Sequence, residues 1–347
     1  MPATVVASVL VFSSTAGASA LSPNATAAPE TTSLTVPTPA ASAAEGPEVY
    51  AAAAGFYKRY GLTVATPVSD SGTVLSEFTA GAVRIDGVGQ LQTAALYSKG
   101  FPVQVIGCTV LNLAFHMFAA SSITSVKDLI GKSIGTTALG SGHELAEEVW
   151  LEKNGVNPSQ VKFVPLGSVP DILAALESGS IAAGGLSYPV WASAQTDPHL
   201  HFLGLAPIPP SPDVVNSQWA KGNANTIVAY LEGTIEGFYS YVTNEKAALP
   251  VLANFLNLNL SVPADKAEVV KGYETYLPPA TQPLTACPSD YLKADVLPYI
   301  PAAEGAEIGH DASGFVNTSY LNTVIDNGFY TKLQSEYGAI KGFTPPS

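Results

Sequence analysis

The sequence predicts an α/β protein with two similar lobes. Strand-like and helix-like segments alternate from residue 33 to residue 195, which is typical of sheets covered by helices. Hydrophobic residues make up 47% of the 347 residues and charged residues only 12%, so a large folded core is expected. The stretch at 67–94 also resembles the stretch at 165–192 without any gap, which predicts two units of one kind.

The elements of the first part follow from hydrophobic periodicity and from turn residues. Helices are predicted to end at Gly61 and Gly81, because glycine adopts the left-handed conformation without strain. The predicted elements are strand 33–36, helix 46–61, strand 62–68, helix 73–81, strand 82–88, helix 90–100 and strand 102–107.

The second part begins with the same alternation and then changes. After Pro207 the apolar residues recur at a helical period, so only helices are predicted there. Strands that alternate with helices in this way predict largely parallel sheets. The predicted elements are strands 113–120, 132–138, 161–166 and 180–186, and helices 141–155, 168–179, 188–195, 225–244, 246–256 and 263–277.

The two copies of the repeat align position by position. Gly81 falls on Gly179, and Gly87 falls on Gly185. Open α/β sheets bind ligands at the carboxyl ends of their strands, so two such edges that face each other predict a cleft. The alternative is that any two strand–helix units look alike.

Polar residues stand at the helix starts that would border this cleft. Ser141 with Glu144, and Ser168 with Asp171, have the spacing of capping boxes. Helix starts leave N–H groups unpaired and carry a partial positive charge, so they hold an oxyanion without any lysine or arginine.

The segment 178–195 has no charged residue but contains Ser187, Tyr188 and Trp191. This composition suits a neutral, aromatic or singly anionic ligand. For Tyr188 and Trp191, ordinary helix packing is the alternative role.

Net charge and missing motifs argue against several functions. The formal net charge is −13 with only two arginines, whereas a protein that binds nucleic acid needs a basic face. The segment 143–147 resembles a zinc-protease helix, but Glu147 stands where the second histidine is required. The His-Leu-His segment at 199–201 is interpreted as a loop leading into a strand. We therefore expect no enzyme activity, no metal site, no cofactor and no nucleic-acid partner.

The N-terminal segment has the features of an exported protein. Residues 1–20 contain a short apolar run followed by small residues, as in a secretory signal, and 21–32 read as an Ala/Thr/Pro linker. No apolar run is long enough for a transmembrane helix, and no lipoprotein cysteine lies near Ala20. In an oxidising compartment, Cys108 and Cys287 either form one disulfide or remain two thiols.

Five stretches together carry a resemblance to a known family: 50–64, 71–89, 125–137, 150–194 and 225–244. Their order and spacing resemble the solute-binding proteins of ABC importers of the nitrate, sulfonate and taurine type, within the thiamine-pyrimidine-synthase-like superfamily. Arg84 and Ala182 stand where the family usually has an aspartate, which is expected to be a structural difference. The resemblance covers roughly residues 33–333.

This resemblance implies a two-lobed fold of the periplasmic-binding-protein type (type II), with extra C-terminal helices. Crossovers near Asn112 and Pro207 would divide the chain into lobe one, 31–112 plus 207–347, and lobe two, 113–206. The lobes would close on a ligand by hinge motion. The expected ligand contacts are Thr38, Pro39, Ser71, Gly72, Thr73, Gln90, His116, Ala138, Leu139, Gly140, Ser141, Gly142, Ser187, Tyr188 and Trp191.

The resemblance further implies a secreted or periplasmic monomer that delivers a small organic ligand to an ABC permease in the membrane. A sulfonate-like oxyanion is the first expectation, and an aromatic acid or a pyrimidine-like compound is the second. A ligand sensor or scaffold without an importer is one alternative. An enzyme of the same fold is another, although the cysteine-rich iron motif of the superfamily's pyrimidine synthases is absent.

Overall fold

The computed structural model describes residues 27–85, 88–109, 114–280 and 312–344, together with residues 287, 296–300, 305 and 308. The signal-like segment 1–20, most of the linker 21–32 and the crossover predicted near Asn112 lie outside the described residues. Among the described helices, none combines the length and the apolar character that crossing a bilayer requires.

The described chain alternates strands and helices, which confirms the α/β class. The strands are β1 Ser33–Thr35, β2 Thr63–Ala65, β3 Val103–Thr109, β4 Ala114–Ala120, β5 Ser133–Thr136, β6 Lys162–Pro165, β7 Ala183–Leu186, β8 Leu200–Pro207 and β9 Ser211–Asn216.

The helices pack against the sheets and extend to the C-terminal region. They are α1 Gly46–Ala53, α2 Phe56–Arg59, α3 Ser71–Ala80, α4 Gln90–Ser98, α5 Gly142–Lys153, α6 Val169–Glu177, α7 Val190–Ala194, α8 Ser217–Ala220, α9 Ala224–Thr243, α10 Glu245–Phe255 and α11 Pro263–Ala280, followed by Ala312–Phe315, Ser319–Asp326 and Phe329–Tyr337.

The largest sheet has five strands in the order β6-β5-β7-β4-β8. Strand β5 pairs in parallel with β6 and β7, whereas β4 runs antiparallel to both β7 and β8. The prediction of largely parallel sheets is therefore wrong for two of the four strand pairings in this sheet, because β4 runs opposite to the other four strands. The chain enters this sheet through β4 and leaves it through β8. These two strands run in opposite directions and lie next to each other, so they form an antiparallel pair.

The remaining strands form two short ladders, with β1 parallel to β2 and β3 antiparallel to β9. Strand β9 was not predicted, because only helices were expected after Pro207. Its residues 212–215 are all buried against β3 and its neighbours, so they lack the alternation that identifies a half-buried strand. The predicted strand 82–88 is reduced to one bridge between Ile85 and Val215, and residues 86 and 87 lie outside the described residues.

The helix predicted over 46–61 is two helices, because Gly55 has a left-handed φ of 82° between α1 and α2. Both pack closely against α9. A Cβ atom at Gly237 would lie 2.3 Å from the Cβ atom of Ala51, and one at Gly233 would lie 2.5 Å from Tyr57 Cδ1. Glycine in α9 thus allows the close approach that buries this helix.

The two copies of the repeat end their helices as predicted. Gly81, with a φ of 79°, follows α3, and Gly179, with a φ of 72°, lies just beyond α6. The apolar residues before them, Phe78 and Leu176, are both buried. The exact lobe boundaries at Asn112 and Pro207 stay a prediction.

A disulfide joins Cys108 to Cys287, which decides between the two alternatives left open by the sequence. Cys108 lies in β3 within an apolar cluster that includes Val105, Val214 and Phe315. The bond therefore ties a C-terminal residue to the core of the unit that contains β3 and β9.

Candidate ligand-binding site

A cavity of about 260 Å³ lies between the five-stranded sheet and the unit that contains β3, β9 and α9. A volume of this order suits a small organic molecule rather than a macromolecular partner. Both units supply walls, and several helix starts and loops meet there. The site is therefore a cleft between two parts of the fold, as the repeat in the sequence predicted.

Residues that precede β4 in the chain form one wall of the cavity. The predicted contacts Pro39, Ser71 and Gln90 line the cavity there. Gln90 is buried at the start of α4, and its amide Nε2 donates to the carbonyl oxygen of Pro210 at 3.3 Å. This bond holds the Gln90 side chain against the segment that follows β8.

The opposite wall belongs to the five-stranded sheet. The predicted contacts Ser141, Gly142 and Ser187 line it, together with Phe115 and His143, which were not predicted. Ser141 and Gly142 stand at the start of α5, and Ser187 directly follows β7. Six of the fifteen predicted contacts thus lie at one cavity.

The start of α5 presents backbone donors. The Ser141 hydroxyl accepts from the Glu144 N–H at 3.3 Å, and the Glu144 carboxylate accepts from the Gly140 N–H. A capping box would require the Glu144 carboxylate to accept from the Ser141 N–H. It accepts from the Gly140 N–H instead, so the predicted box does not form. Within the described chain, the N–H groups of Gly142 and His143 form no hydrogen bond. They are the donors that an oxyanion would use.

A contact between α4 and the loop before α5 closes one side of the cavity. The Gln92 side chain donates from Nε2 to the Leu139 carbonyl at 2.9 Å, and its backbone N–H donates to the Gly140 carbonyl at 3.2 Å. A Cβ atom at Gly89 would lie only 2.8 Å from Ser141 Cα. The predicted contacts Ala138, Leu139 and Gly140 therefore lie at this contact and not on the cavity wall.

A second contact, around Tyr188, closes another side. The Tyr188 N–H bonds the hydroxyl of Tyr276 at 2.7 Å, and its own hydroxyl donates to the Glu268 carbonyl at 3.2 Å. The side chain is 5% exposed and packs in an apolar cluster with Ala43 and Tyr241. Tyr188 thus joins the five-stranded sheet to α11, and it does not line the cavity.

Three predicted contacts near β1 and α3 also lie off the wall. Thr38 is buried in a parallel bridge with Val68. The N–H groups of Gly72 and Thr73 both donate to the Asp70 carboxylate at 3.0 Å, so the start of α3 is capped by its own side chain.

His116 and Trp191 pack against each other away from the cavity. Their rings are stacked, with centroids 4.4 Å apart and planes 6° apart. Phe202 also contacts the His116 ring, at 5.4 Å between centroids. Both residues therefore pack within the protein, which for Trp191 is the stated alternative to ligand contact.

His143 is the clearest residue that sequence reasoning missed as a contact. It is 4% exposed, its ring stacks on Phe115 with centroids 3.9 Å apart, and Nε2 lies 3.5 Å from Glu147 Oε1. Neither ring nitrogen has a hydrogen-bond partner among the described residues. Burial lowers the pKa of His143 to about 3, so the imidazole is neutral. The sequence signal that could have identified His143 as a contact is its position as the second residue of α5, directly after Gly142.

Glu147 stands behind His143 and is completely buried. Its Oε1 accepts from the Gly185 N–H at 3.0 Å, while Oε2 has no partner among the described residues. Burial raises the pKa of Glu147 well above its ordinary value. Burial thus favours the neutral form of both groups behind this wall. The described residues include no group of three or more His, Cys, Asp or Glu residues that could hold a metal ion.

Solved structures share this architecture. The alkanesulfonate-binding protein SsuA from Xanthomonas axonopodis pv. citri, bound to MOPS, is 14% identical, with 82% of this chain and 94% of that chain covered at a TM-score of 0.63. The periplasmic nitrate-binding protein NrtA from Synechocystis PCC 6803 is 12% identical, with 89% and 90% covered at 0.57. The CA3427 product of Candida albicans, described as having the generic periplasmic binding protein fold, is 15% identical, with 83% and 96% covered at 0.58.

These likenesses establish the class of fold: a two-lobed α/β protein of the periplasmic-binding-protein type. The model of the NMT1/THI5-like family matches residues 44–247. The chain belongs to that family, which confirms the resemblance seen in the sequence. A comparison with curated protein sequences gives no match.

Proposed function

We propose that this protein is an extracytoplasmic solute-binding protein that delivers a small organic ligand to an ABC importer. The cavity between the two units is the observation that carries the proposal, since both walls supply polar groups to an enclosed space. Closure of the lobes would bury the ligand, and the closed form would dock on a membrane permease. The signal-like segment 1–20 supports an extracytoplasmic location. The protein acts as a monomer and without catalysis.

An organic oxyanion of the sulfonate type remains the first expectation for the ligand. The N–H groups of Gly142 and His143 at the start of α5 support it, because helix starts stabilise negative charge. The solved structures of a sulfonate-binding and a nitrate-binding protein share the fold and suggest the same chemistry. Aromatic acids and pyrimidine-like compounds are the next candidates.

The test is a thermal-shift screen of the chain from Leu21 onward, against sulfonates, nitrate, bicarbonate, aromatic acids and pyrimidines. A ligand at a hundred times its Kd should stabilise the protein by about 2.7 kcal/mol. Calorimetry on the best ligand then compares Gly142→Pro with Gly142→Ala. Both variants add a Cβ atom, but only proline removes the N–H donor, and proline is well tolerated at the first helical position.

We expect Gly142→Pro to bind about tenfold more weakly than Gly142→Ala, because a hydrogen bond to a charged group is lost. Equal Kd values would show that the ligand does not use this donor. If no compound shifts the melting temperature, and native mass spectrometry finds no retained ligand, the solute-binding proposal fails.

A further inference from the structure

A second cavity, of about 370 Å³, lies beside β1 and β2 and is separate from the candidate ligand-binding site. No described residue lines both cavities. The first cavity begins at Pro37, beyond the end of β1, whereas the second is lined by Ser33 and Thr35 of β1 itself. Arg84 and Trp219 complete this second wall. The proposed solute-binding function does not account for this cavity.

Arg84 is the only charged residue among the described residues that line the second cavity. Its side chain is half-buried, and within the described chain its guanidinium forms no hydrogen bond and no ion pair. The other arginine of the sequence, Arg59, pairs with Glu236 and donates to the Tyr337 hydroxyl at 3.0 Å. A chain with a formal net charge of −13 thus leaves one of its two arginines with five unused N–H donors.

The end of α3 holds the Arg84 guanidinium at the cavity wall. A Cβ atom at Gly81 would lie 2.7 Å from Arg84 Nη1, so the guanidinium lies directly against this glycine. Gly81 ends α3, and the last turn of a helix carries a partial negative charge that stabilises a nearby cation. The contact positions the positive charge and leaves its N–H groups available to a ligand.

The second copy of the repeat shows that the fold does not require a cation at this position. The residue aligned with Arg84 is Ala182, whose N–H donates to the Ser133 carbonyl at 2.9 Å. The next strand, β7, forms there without a charged side chain. Formation of the repeated unit therefore does not explain why the first copy has an arginine.

The other residues of the wall indicate the class of ligand. A guanidinium matches the planar geometry of a carboxylate, which accepts two parallel N–H bonds from it. A second negative charge on the ligand would meet no second cation among the described lining residues. Trp219 is half-buried, and an indole ring packs well against an apolar or aromatic body.

We propose that the second cavity binds a small monocarboxylate, whose carboxylate pairs with Arg84 and whose aromatic or apolar body packs against Trp219. This inference goes beyond the proposed solute-binding function and does not depend on it, because the two cavities share no described residue.

The experiment follows Trp219 directly, by fluorine NMR of the protein labelled with 5-fluorotryptophan. The chain has three tryptophans, and the variant Trp219→Phe identifies which signal belongs to Trp219. The probes are benzoate and benzamide, which share a ring but differ in charge. Calorimetry measures the Kd of each probe.

Two variants change the proposed contact, and a third is the control. Arg84→Gln removes the charge, and Arg84→Lys keeps it but loses the planar pair of donors. The control Lys99→Gln removes one positive charge from an exposed position at the end of α4, outside both cavities. It reproduces the loss of a cation at the end of a helix, which has its own small effect on stability.

We expect benzoate to shift the Trp219 signal until it saturates, and to bind about tenfold more tightly than benzamide. Arg84→Gln should weaken benzoate binding about tenfold, because hydrogen bonds to a charged group are lost. Arg84→Lys should give a Kd between those of wild type and Arg84→Gln. Lys99→Gln should bind benzoate as the wild-type protein does.

Three results would overturn the inference. One is equal binding of benzoate and benzamide, and another is a Kd for benzoate that is the same in Arg84→Gln and wild type. The third is benzoate binding that leaves the Trp219 signal unmoved and weakens in Gly142→Pro, since the probe would then occupy the first cavity. Circular dichroism of each variant verifies that it is folded.

Discussion

At the scale of single residues, α5 carries an unusual set of buried titratable groups. His143, Glu147 and Glu148 lie within two turns, and burial moves each toward its neutral form. Burial, with repulsion from Glu144 and Glu152, raises the pKa of Glu148 to about 8. The folded state thus binds this proton more tightly than the unfolded chain does.

The raised pKa of Glu148 makes the free energy of unfolding depend on pH in a definite direction. A carboxyl group whose pKa is raised on folding stabilises the fold fully below its ordinary value of 4.5, and this contribution is lost as the pH rises to about 8. Glu147 acts in the same direction. His143 acts in the opposite direction, since its pKa is lowered, and its effect is complete above about pH 6.5.

The substitution Glu148→Gln tests this prediction, because glutamine cannot ionise. The free energy of unfolding of the variant, relative to wild type, should rise by about 1 to 2 kcal/mol between pH 5 and pH 8. Urea titrations at each pH measure it. Glu177→Gln, an exposed glutamate at the end of α6, is the control and should show no such trend. A constant difference between Glu148→Gln and wild type would contradict the raised pKa.

Residue patterns predicted part of the candidate site. Ser141 and Gly142 were found because a capping residue before an apolar run marks a helix start, and helix starts border the cavity. Tyr188 and Trp191 lie off the cavity wall, which the sequence did not show, because an aromatic residue has the same sequence signal whether it faces a ligand or a neighbouring helix. His143 was missed because which face of α5 meets the cavity depends on β4 and β7, which are distant in sequence.

At the scale of elements, the contact between α4 and α5 depends on glycine. Gly89 has an ordinary φ of −65°, so its role is space and not backbone conformation. An added Cβ atom would meet backbone atoms of Ser141 and Gly140, at 2.8 Å and 2.9 Å. Backbone atoms cannot rotate away as a side chain does, so the starts of the two helices would have to separate.

Gly89→Ala should therefore lower the free energy of unfolding by about 1 to 3 kcal/mol, as overpacked sites do. Ligand affinity should fall as well, because the same contact borders the cavity. Gly222→Ala is a matched control, since no atom lies within 4 Å of its added Cβ. Thermal denaturation and calorimetry measure both effects. A Gly89→Ala protein as stable as the control would show that the two helix starts adjust freely.

Elements with local signals were predictable, and those set by long-range pairing were not. α3 and α6 were found because apolar residues recur at a helical period before Gly81 and Gly179. The break at Gly55 was missed, because glycine is tolerated within helical patterns. Here the packing of α1 and α2 against α9 determines where the helix is interrupted. β9 exists through its pairing with β3, and that partner lies about 100 residues earlier in the chain.

At the scale of the whole molecule, the disulfide constrains the chain most. Cys108 and Cys287 are 179 residues apart, so the bond restricts a very long loop of the unfolded chain. Restricting the unfolded chain lowers its conformational entropy and so stabilises the folded state. The even cysteine count predicted that a bond was possible, but only the fold shows that Cys108 meets Cys287.

Replacing both cysteines by serine should lower the free energy of unfolding by about 2 to 5 kcal/mol. Thermal denaturation of the wild-type protein with a reductant should reproduce this loss. The double variant itself should not respond to the reductant, which is the control for effects unrelated to the bond. Wild-type protein whose melting temperature is the same with and without reductant would contradict the prediction.

The same bond also determines how the protein responds to a single cut. It closes the chain from Cys108 to Cys287 into a covalent ring, and this ring contains all five strands from β4 to β8. A protease that cleaves one peptide bond inside the ring opens it but releases no fragment. The nicked protein would therefore run as one band on a gel without reductant and as two bands after reduction. A cell that exports this chain would keep both lobes attached to each other even after such damage.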